Sequence, residues 1–261
     1  MSLCKWEQLP AEMQTEAVRE YYDILKKKRV SRFLKRAFDI VASLLLLILL
    51  SPIFLILAIA IKLDSKGPVF YRQVRVTRYG KTFRIHKFRT MVQDADKKAL
   101  LTVGKDSRVT RVGRLIRQCR LDEICQVIDV LCGNMTFVGT RPEVQKYVDQ
   151  YTPEMLATLL LPAGITNEAC IYYKHEYKIL GASDDPERAY VEEVLPGKMY
   201  YNLKSIRSFG FWHDIKVMFM TVLAVLGKDY QGDYVAPVRE TSNEQNELNE
   251  VNESTKEPMN T

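Results

Sequence analysis

The chain has 261 residues, 47% of them hydrophobic and 27% charged, with a net charge of +6, enough for one substantial domain with extensions. The charge is uneven: residues 239–261 hold six Glu against Arg239 and Lys256, a local −4 that leaves +10 on the remainder. A basic body of this kind suits an anionic membrane surface or phosphate-bearing substrates, and nucleic acid is set aside because no recognised reader motif accompanies the basic residues.

No signal peptide is expected, since the hydrophobic run starts late and no small-residue cleavage site follows it. The five cysteines show no paired spacing, so free thiols in a reducing cytoplasm are expected.

In chain order, residues 11–29 read as an amphipathic helix, with Met13, Ala17, Tyr21, Ile24 and Leu25 at helical spacing and a basic end, Lys26-Lys-Lys-Arg29. It either lies solvated on the surface or rests its basic end on anionic headgroups. Arg36 and Asp39 follow, three residues apart, and an ion pair between them is expected at the membrane entrance.

Residues 40–61 carry no charge over 22 positions and reach roughly 33 Å as a helix, enough for a hydrocarbon core of about 30 Å. Two features argue against a simple crossing. Pro52 cannot donate to the carbonyl of Ile48, so a bend is expected at Ser51-Pro52, where the Ser51 hydroxyl can satisfy part of the freed backbone. Both flanks are also positive, with Lys26, Lys27, Lys28, Arg29, Arg32, Lys35 and Arg36 before the run and Lys62, Lys66, Arg72, Arg75 and Arg78 after it. Positive flanks favour the cytoplasmic side, which points to a re-entrant helix that enters, bends and leaves on one face.

After the turn signal Ser65-Lys-Gly67-Pro68, residues 69–76 and 82–88 alternate apolar and polar β-formers around Tyr79-Gly80-Lys81, the pattern of a β-hairpin. Its basic residues, Lys87 among them, are expected to meet phosphate. Residues 92–110 read as an irregular polar connection.

Arg111, Arg114, Arg117 and Arg120 recur every three residues and would share one broad helix side facing anions, either headgroups or a bound pyrophosphate. Asp122-Glu123 then opens a helix with Ile124, Val127, Ile128 and Leu131 on one face and Gly133 as its stop. The helix dipole and Arg117 or Arg120 would keep Asp122 ionised. Neighbours on a helix diverge by about 100°, so the two carboxylates cannot share a proton and are expected to have different jobs.

Cys119, Cys125 and Cys132 are too widely spaced for a zinc knuckle, and His86, His175 and His213 form no metal pair. Tyr172, Tyr173, Tyr177, Tyr200 and Tyr201 suit packing, stacking on a base or a membrane interface. Residues 213–226 form an apolar helix too short to span comfortably, and the polar stretch beyond Tyr234 is expected to be disordered.

Taken together, these residues resemble the bacterial sugar transferases, the monotopic phosphoglycosyl transferases that initiate lipid-linked glycan assembly. The resemblance covers residues 32–226 in order. Lys35-Arg36-Ala-Phe-Asp39, Ser51-Pro52, Gly67-Pro-Val-Phe-Tyr-Arg-Gln73, Lys87-Phe-Arg-Thr-Met91, Asp106-Ser-Arg-Val-Thr-Arg-Val-Gly113, Leu121-Asp-Glu123, Thr140-Arg-Pro142 and Leu195-Pro196 with Phe211-Trp212-His-Asp214 each match a family motif.

The resemblance implies an α+β monotopic membrane protein with a re-entrant kinked helix, a short hairpin and amphipathic interfacial helices. Residues 1–31 would be an N-terminal basic helix, 32–64 the membrane helix, 65–234 the catalytic domain and 235–261 an acidic tail. It implies a cytoplasmic-face enzyme of the bacterial inner membrane that moves a sugar-1-phosphate from a UDP-sugar to a polyprenol phosphate such as undecaprenyl phosphate. Asp122 is then the nucleophile and a ligand of Mg²⁺, Glu123 its partner, and Lys87, Arg117 and Arg141 the phosphate contacts. Downstream glycosyltransferases are expected partners. A catalytically silent scaffold of the same fold is the alternative, although a scaffold has no need of all five polar residues.

Three departures from the family pattern stand out. Thr140 replaces the first proline of Pro-Arg-Pro, which is expected to loosen the loop presenting Arg141. Gly133-Asn-Met-Thr136 stands for Gly-Asp-Met-Ser. Residues 163–172 replace Pro-Gly-Ile-Thr-Gly-x-x-Gln-Val-x-Gly-Arg, whose Gln and Arg lack counterparts, so sugar specificity does not carry over.

Overall fold

The computed structural model describes residues 1–93 and 107–234; the expectation for the acidic tail and most of that for residues 92–110 fall outside them. Two short 3-10 turns lead into helix α1 (Glu16–Lys27), capped by the Thr15 hydroxyl. Its apolar face does not meet solvent: Met13, Val18, Tyr21 and Leu25 are buried in one cluster with Leu159, Leu160, Leu203 and Ile206. The first residues therefore share a core with the middle and end of the chain, while Lys26 to Lys28 stay exposed.

Helix α2 (Arg29–Asp64) is continuous over 36 residues with Pro52 inside it. The Ser51 hydroxyl donates to the carbonyl of Ile48 at 2.8 Å, the acceptor that Pro52 leaves without its amide. Leu44, Leu45, Ile48, Leu49, Leu55 and Ile56 are exposed on this helix, a contiguous apolar surface far beyond what a soluble domain leaves open.

Both ends of α2 dock on the same body. At the start, buried Lys35 pairs with buried Asp214 and donates to the carbonyl of Val138 at 2.6 Å. At the end, Arg89 donates to the carbonyls of Lys66 and Ser65 at 2.9 and 2.7 Å, and Asp64 accepts from the backbone amide of Val112 at 3.0 Å.

The expected Arg36–Asp39 ion pair is not made. Arg36 reaches the carbonyls of Val130 and Leu131 at 2.7 and 2.9 Å, while Asp39 accepts from the Thr136 hydroxyl at 2.7 Å and the Phe137 amide at 3.2 Å. Each charged group answers a buried backbone group of the domain, where an unmade bond costs more than an exposed pair returns. Thr136, standing for the family's serine, supplies the same hydroxyl.

Strands β1 (Phe70–Val76) and β2 (Thr82–Phe88) form the expected antiparallel hairpin, in register from Phe70 opposite Phe88 to Val76 opposite Thr82. Helix α3 (Arg111–Gln118) follows, then a 3-10 turn (Leu121–Gln126) and helix α4 (Val127–Cys132), which ends at Gly133 as its pattern requires. A second sheet pairs strands β3 (Met135–Val138) and β4 (Ala163–Thr166) in parallel. Four-residue strands with no local turn between them leave no periodic signal, which is why the sequence does not reveal them. One turn of helix, α5 (Gln145–Val148), lies between them.

Helices α6 (Glu168–Tyr172), α7 (Glu176–Ala182), α8 (Pro186–Ala189), α9 (Leu195–Arg207) and α10 (Phe211–Val225) complete the fold. Helix α10 buries Val217 and Asp214 but exposes Trp212, Phe219, Val222 and Val225, as suits an interfacial helix. Tyr172, Tyr200 and Tyr201 pack on one another. All five cysteines are free.

The Lys35–Asp214 pair gives a stability prediction. Lys35→Met removes one partner and strands a buried carboxylate, which typically costs about 3–5 kcal/mol. Denaturant titration of the purified protein should show a loss of that size, and a variant as stable as the parent would mean that Asp214 is satisfied without the lysine.

Candidate active site

Asp122 and Glu123 sit on the 3-10 turn between α3 and α4. The turn is placed from two directions. Gly113 of α3 lies so close to Thr90 that a Cβ there would stand 2.0 Å from its carbonyl oxygen. That approach lets Arg117 Nε donate to the Thr90 hydroxyl at 2.9 Å. On the other side, buried Asp129 accepts from the His86 backbone amide at 2.8 Å and meets the His86 ring at 2.8 Å, fixing β2 against α4 one residue before Lys87.

The expected arginine ladder ends at Arg117. Arg120 adopts a left-handed backbone, φ 52° and ψ 31°, so it leaves the helical series and turns the chain into the acidic pair. This conformation costs a bulky residue about a kcal/mol or more, and such strain collects at functional sites.

The two carboxylates live differently. Glu123 accepts from Lys87 Nζ at 2.7 Å and from both terminal nitrogens of Arg141, one of them at 3.0 Å. This bidentate, doubly cationic clasp overrides burial and holds its carboxyl far below the ordinary range. No side chain among the described residues bonds to the Asp122 carboxylate. Burial raises its pKa, the neighbouring Glu123 charge raises it further, and Lys87 and Arg117 offset only part of this. The direction is opposite to that expected from a helix dipole and arginines, because burial and the adjacent Glu123 charge outweigh those cations. The two adjacent carboxylates thus sit in unlike environments.

Arg141 is presented by a loop bonded on both sides. The Thr140 carbonyl accepts from the Gly164 amide at 2.8 Å, the Pro142 carbonyl from the Arg75 guanidinium at 3.1 Å and the Glu143 carbonyl from the Val76 amide at 2.8 Å.

An open cavity of about 510 Å³ runs along this site, within the size of small-molecule pockets. Arg117, Asp122, Glu123 and Arg141 form one part of its wall, and Cys170, Tyr173, Glu176 and Lys198 another. Counting through the family pattern puts Cys170 at the position of its Gln and Lys174 at that of its terminal Arg. Lys174 also lines the cavity and is paired with Asp229.

Arg120, read from the sequence as part of an anion-facing series, does line the cavity. Sequence reading missed Glu176 and Lys198 as cavity residues; they lie on α7 and α9 with no spacing that joins them. The structure brings together Asp122, Glu123, Lys87, Arg117 and Arg141, while Ser51 and Pro52 lie apart in α2. Among the described residues no group of three or more His, Cys, Asp or Glu side chains could hold a metal. Asp122 is the carboxylate left available, which fits a Mg²⁺ ion held by one protein carboxylate and substrate phosphates.

The family model for bacterial sugar transferases matches residues 30–228. The chain is 38% identical over 197 residues to UDP-glucose:undecaprenyl-phosphate glucose-1-phosphate transferase of Escherichia coli, covering 74% of this chain and 40% of that protein. It is 37% identical to the UDP-N-acetylgalactosamine-undecaprenyl-phosphate N-acetylgalactosaminephosphotransferase of Aeromonas hydrophila, over 74% and 44% of the two chains. A third relative, from Caulobacter vibrioides and named like the first, is 35% identical over 75% and 70%. The chain thus spans less than half the length of the first two. With matched residues that include both carboxylates, the cations around them and all of α2 after Arg29, this chain belongs to the bacterial sugar transferase family.

Proposed function

We propose that this chain is a phosphoglycosyl transferase that moves a sugar-1-phosphate from a UDP-sugar to undecaprenyl phosphate through an intermediate on Asp122. The observation that carries this reading is the pair of adjacent carboxylates in unlike surroundings, one clasped by Lys87 and Arg141 and one with no side-chain partner among the described residues, lining a cavity with Arg117.

In the first half-reaction an Asp122 oxygen attacks the sugar-proximal phosphorus. The bond from that phosphorus to the UMP oxygen breaks, UMP leaves with the electron pair, and an aspartyl phosphate bearing the sugar remains. In the second, a phosphate oxygen of the polyprenol phosphate attacks the same phosphorus and the aspartyl bond breaks, regenerating the carboxylate. Phosphoryl transfer needs in-line positioning and cations on the phosphate oxygens; Lys87, Arg117 and Arg141 are placed for both, and Glu123 holds two of them in position. A Mg²⁺ ion, held by Asp122 and the diphosphate, would neutralise phosphate charge when bound.

The membrane reading rests on α2. One body binds both its ends, while its apolar middle stays open. A polar domain cannot lie on both faces of a bilayer, so both ends belong on one face and the middle dips into lipid. Basic flanks favour the cytoplasmic face of the inner membrane, where the polyprenol phosphate is within reach. The lipid-linked product is a substrate for glycosyltransferases that extend a glycan.

The test is UMP release and transfer of labelled sugar-phosphate to lipid, using purified protein, polyprenol phosphate and a panel of UDP-sugars. At least one UDP-sugar should give both products; none giving either would overturn the reading. The rate should also fall on the acid side. Asp122 attacks only when deprotonated, and its pKa is raised, so activity is lost as pH drops through a value above the ordinary aspartate pKa of about 3.9. A rate that stays flat down to that range would mean that Asp122 is not held above its ordinary pKa in the working enzyme.

A further inference from the structure

The second part of the cavity wall contains a charged pair that the reaction itself does not need. Lys198, in the first turn of α9, has a side chain only 9% exposed. Its ammonium bonds Glu176 Oε2 at 3.0 Å and lies 5.2 Å from the centre of the Tyr190 ring. The Tyr190 hydroxyl is 3.5 Å away, at the limit of a hydrogen bond, and itself donates to Glu143. An ammonium has three donors. One is well satisfied and one weakly, and both Lys198 and Glu176 line the cavity. A buried cation lacking an acceptor is costly unless a ligand supplies one. Glu176 uses one oxygen for Lys198, and no described residue bonds the other.

An aromatic wall stands beside the pair. The Tyr173 hydroxyl occupies the space where a Cβ on Gly197 would sit, 1.7 Å from it, so the ring is seated against α9 next to Lys198. The Cys170 thiol feels the charges of Arg141 and Glu123 on one side and of Lys198 and Glu176 on the other, which makes the two parts of the wall neighbours.

Resting on the function proposed above, we infer that Glu176 and Lys198 form the sugar-reading subsite. A carboxylate acceptor and an ammonium donor side by side complement adjacent hydroxyls of a pyranose, one donating to Glu176 and one accepting from Lys198, with Tyr173 against the ring's apolar face. The same pair has the polarity to meet a uracil edge. The sugar is favoured because Lys87, Arg117 and Arg141 themselves keep the family pattern, whereas Cys170 and Lys174, two of the departures, line the same cavity as this pair. The constant part of the substrate thus meets the retained residues, and the variable part meets the altered ones.

The experiment is calorimetric binding of UMP, UDP-glucose and UDP-N-acetylgalactosamine to the full chain in detergent, with every protein carrying Asp122→Asn so that no aspartyl adduct forms and the heat reports binding alone. The chain with Glu176 and Lys198 intact should bind one UDP-sugar more tightly than UMP. Glu176→Gln, which removes the charge but keeps an oxygen acceptor for the buried Lys198 ammonium, should weaken that UDP-sugar roughly tenfold or more, level the preference between the two sugars and leave UMP binding unchanged, its fold being checked by the thermal melt. Lys198→Arg, which keeps the charge, should shift the preference in the same sense while the thermal melt stays near that of the parent.

Equal weakening of UMP would assign the pair to uracil and overturn the inference. So would an unchanged profile in Glu176→Gln, or a chain with the pair intact that binds neither sugar more tightly than UMP. Absence of UMP release by the wild type would strike the transferase reading instead, and the binding comparison would still judge the subsite.

Discussion

Asp122→Asn should abolish UMP release and leave the fold as stable as the parent, or slightly more so. Asparagine matches aspartate in size, but its neutral amide oxygen cannot form the aspartyl phosphate. No described side chain bonds the Asp122 carboxylate, so no partner is stranded by the change. Its raised pKa, caused first by burial and then by the Glu123 charge, means that the folded chain disfavours the ionised form relative to the unfolded chain. Removing that charge at neutral pH therefore removes a small folding penalty.

Incubation of the wild type with a UDP-sugar and no lipid acceptor should add one sugar-phosphate to the peptide containing Asp122, read by mass spectrometry. The Asn variant should show no adduct and a thermal melt at or above that of the parent. Near wild-type UMP release from this variant would refute the covalent route. Glu123→Gln is the informative contrast: its carboxylate binds Lys87 and Arg141, so both turnover and the melting temperature should fall.

What the sequence reveals and what it hides follows from range. The hairpin could be read because its alternation and its turn lie within 20 residues, and the Ser51 hydroxyl contact because donor and acceptor are three residues apart. The Arg36–Asp39 pairing looked just as local, yet both side chains turn to Val130, Leu131, Thr136 and Phe137, nearly 100 residues away. Buried backbone groups of a distant element outcompete a neighbour on the same helix, and nothing in the local spacing reports that.

The residues proposed to react were legible as an ordered set of motifs, Lys87, Arg117, Asp122, Glu123 and Arg141. Their unlike surroundings were not. Burial and the Glu123 charge raise the pKa of Asp122, and only the geometry shows which carboxylate is clasped. Lys198 and Glu176 were invisible for a further reason. They stand 22 residues apart on short helices, and each alone is an ordinary surface charge until α9 buries the lysine.

The largest change in architecture is expected from the middle of α2. On the re-entrant reading proposed above, in which both docked ends of this helix face one leaflet, Lys28 and Lys66 lie on the same side of the membrane. Lys28→Cys and Lys66→Cys, in a background without Cys4, Cys119, Cys125, Cys132 and Cys170, should both be protected from an impermeant thiol reagent in intact cells and labelled after lysis. Labelling at position 28 from outside would defeat the re-entrant arrangement.

Replacing Ser51 and Pro52 by leucines restores the amide donor to Ile48 and removes the ring that crowds it, so the helix is freed to straighten. A straight helix of residues 40–61 is long enough to span, but the basic residues before it resist translocation, and the Lys35–Asp214 and Arg89–Ser65 contacts hold its two ends to the domain. Straightening that parts the two ends would break one set of these contacts. The double variant should therefore lose UMP release even where position 28 stays protected, because the strand carrying Lys87 is fastened through Arg89 to the end of α2. Unchanged labelling together with unchanged activity would mean that Ser51-Pro52 does not turn the chain around, and that the docked ends alone impose the re-entrant path.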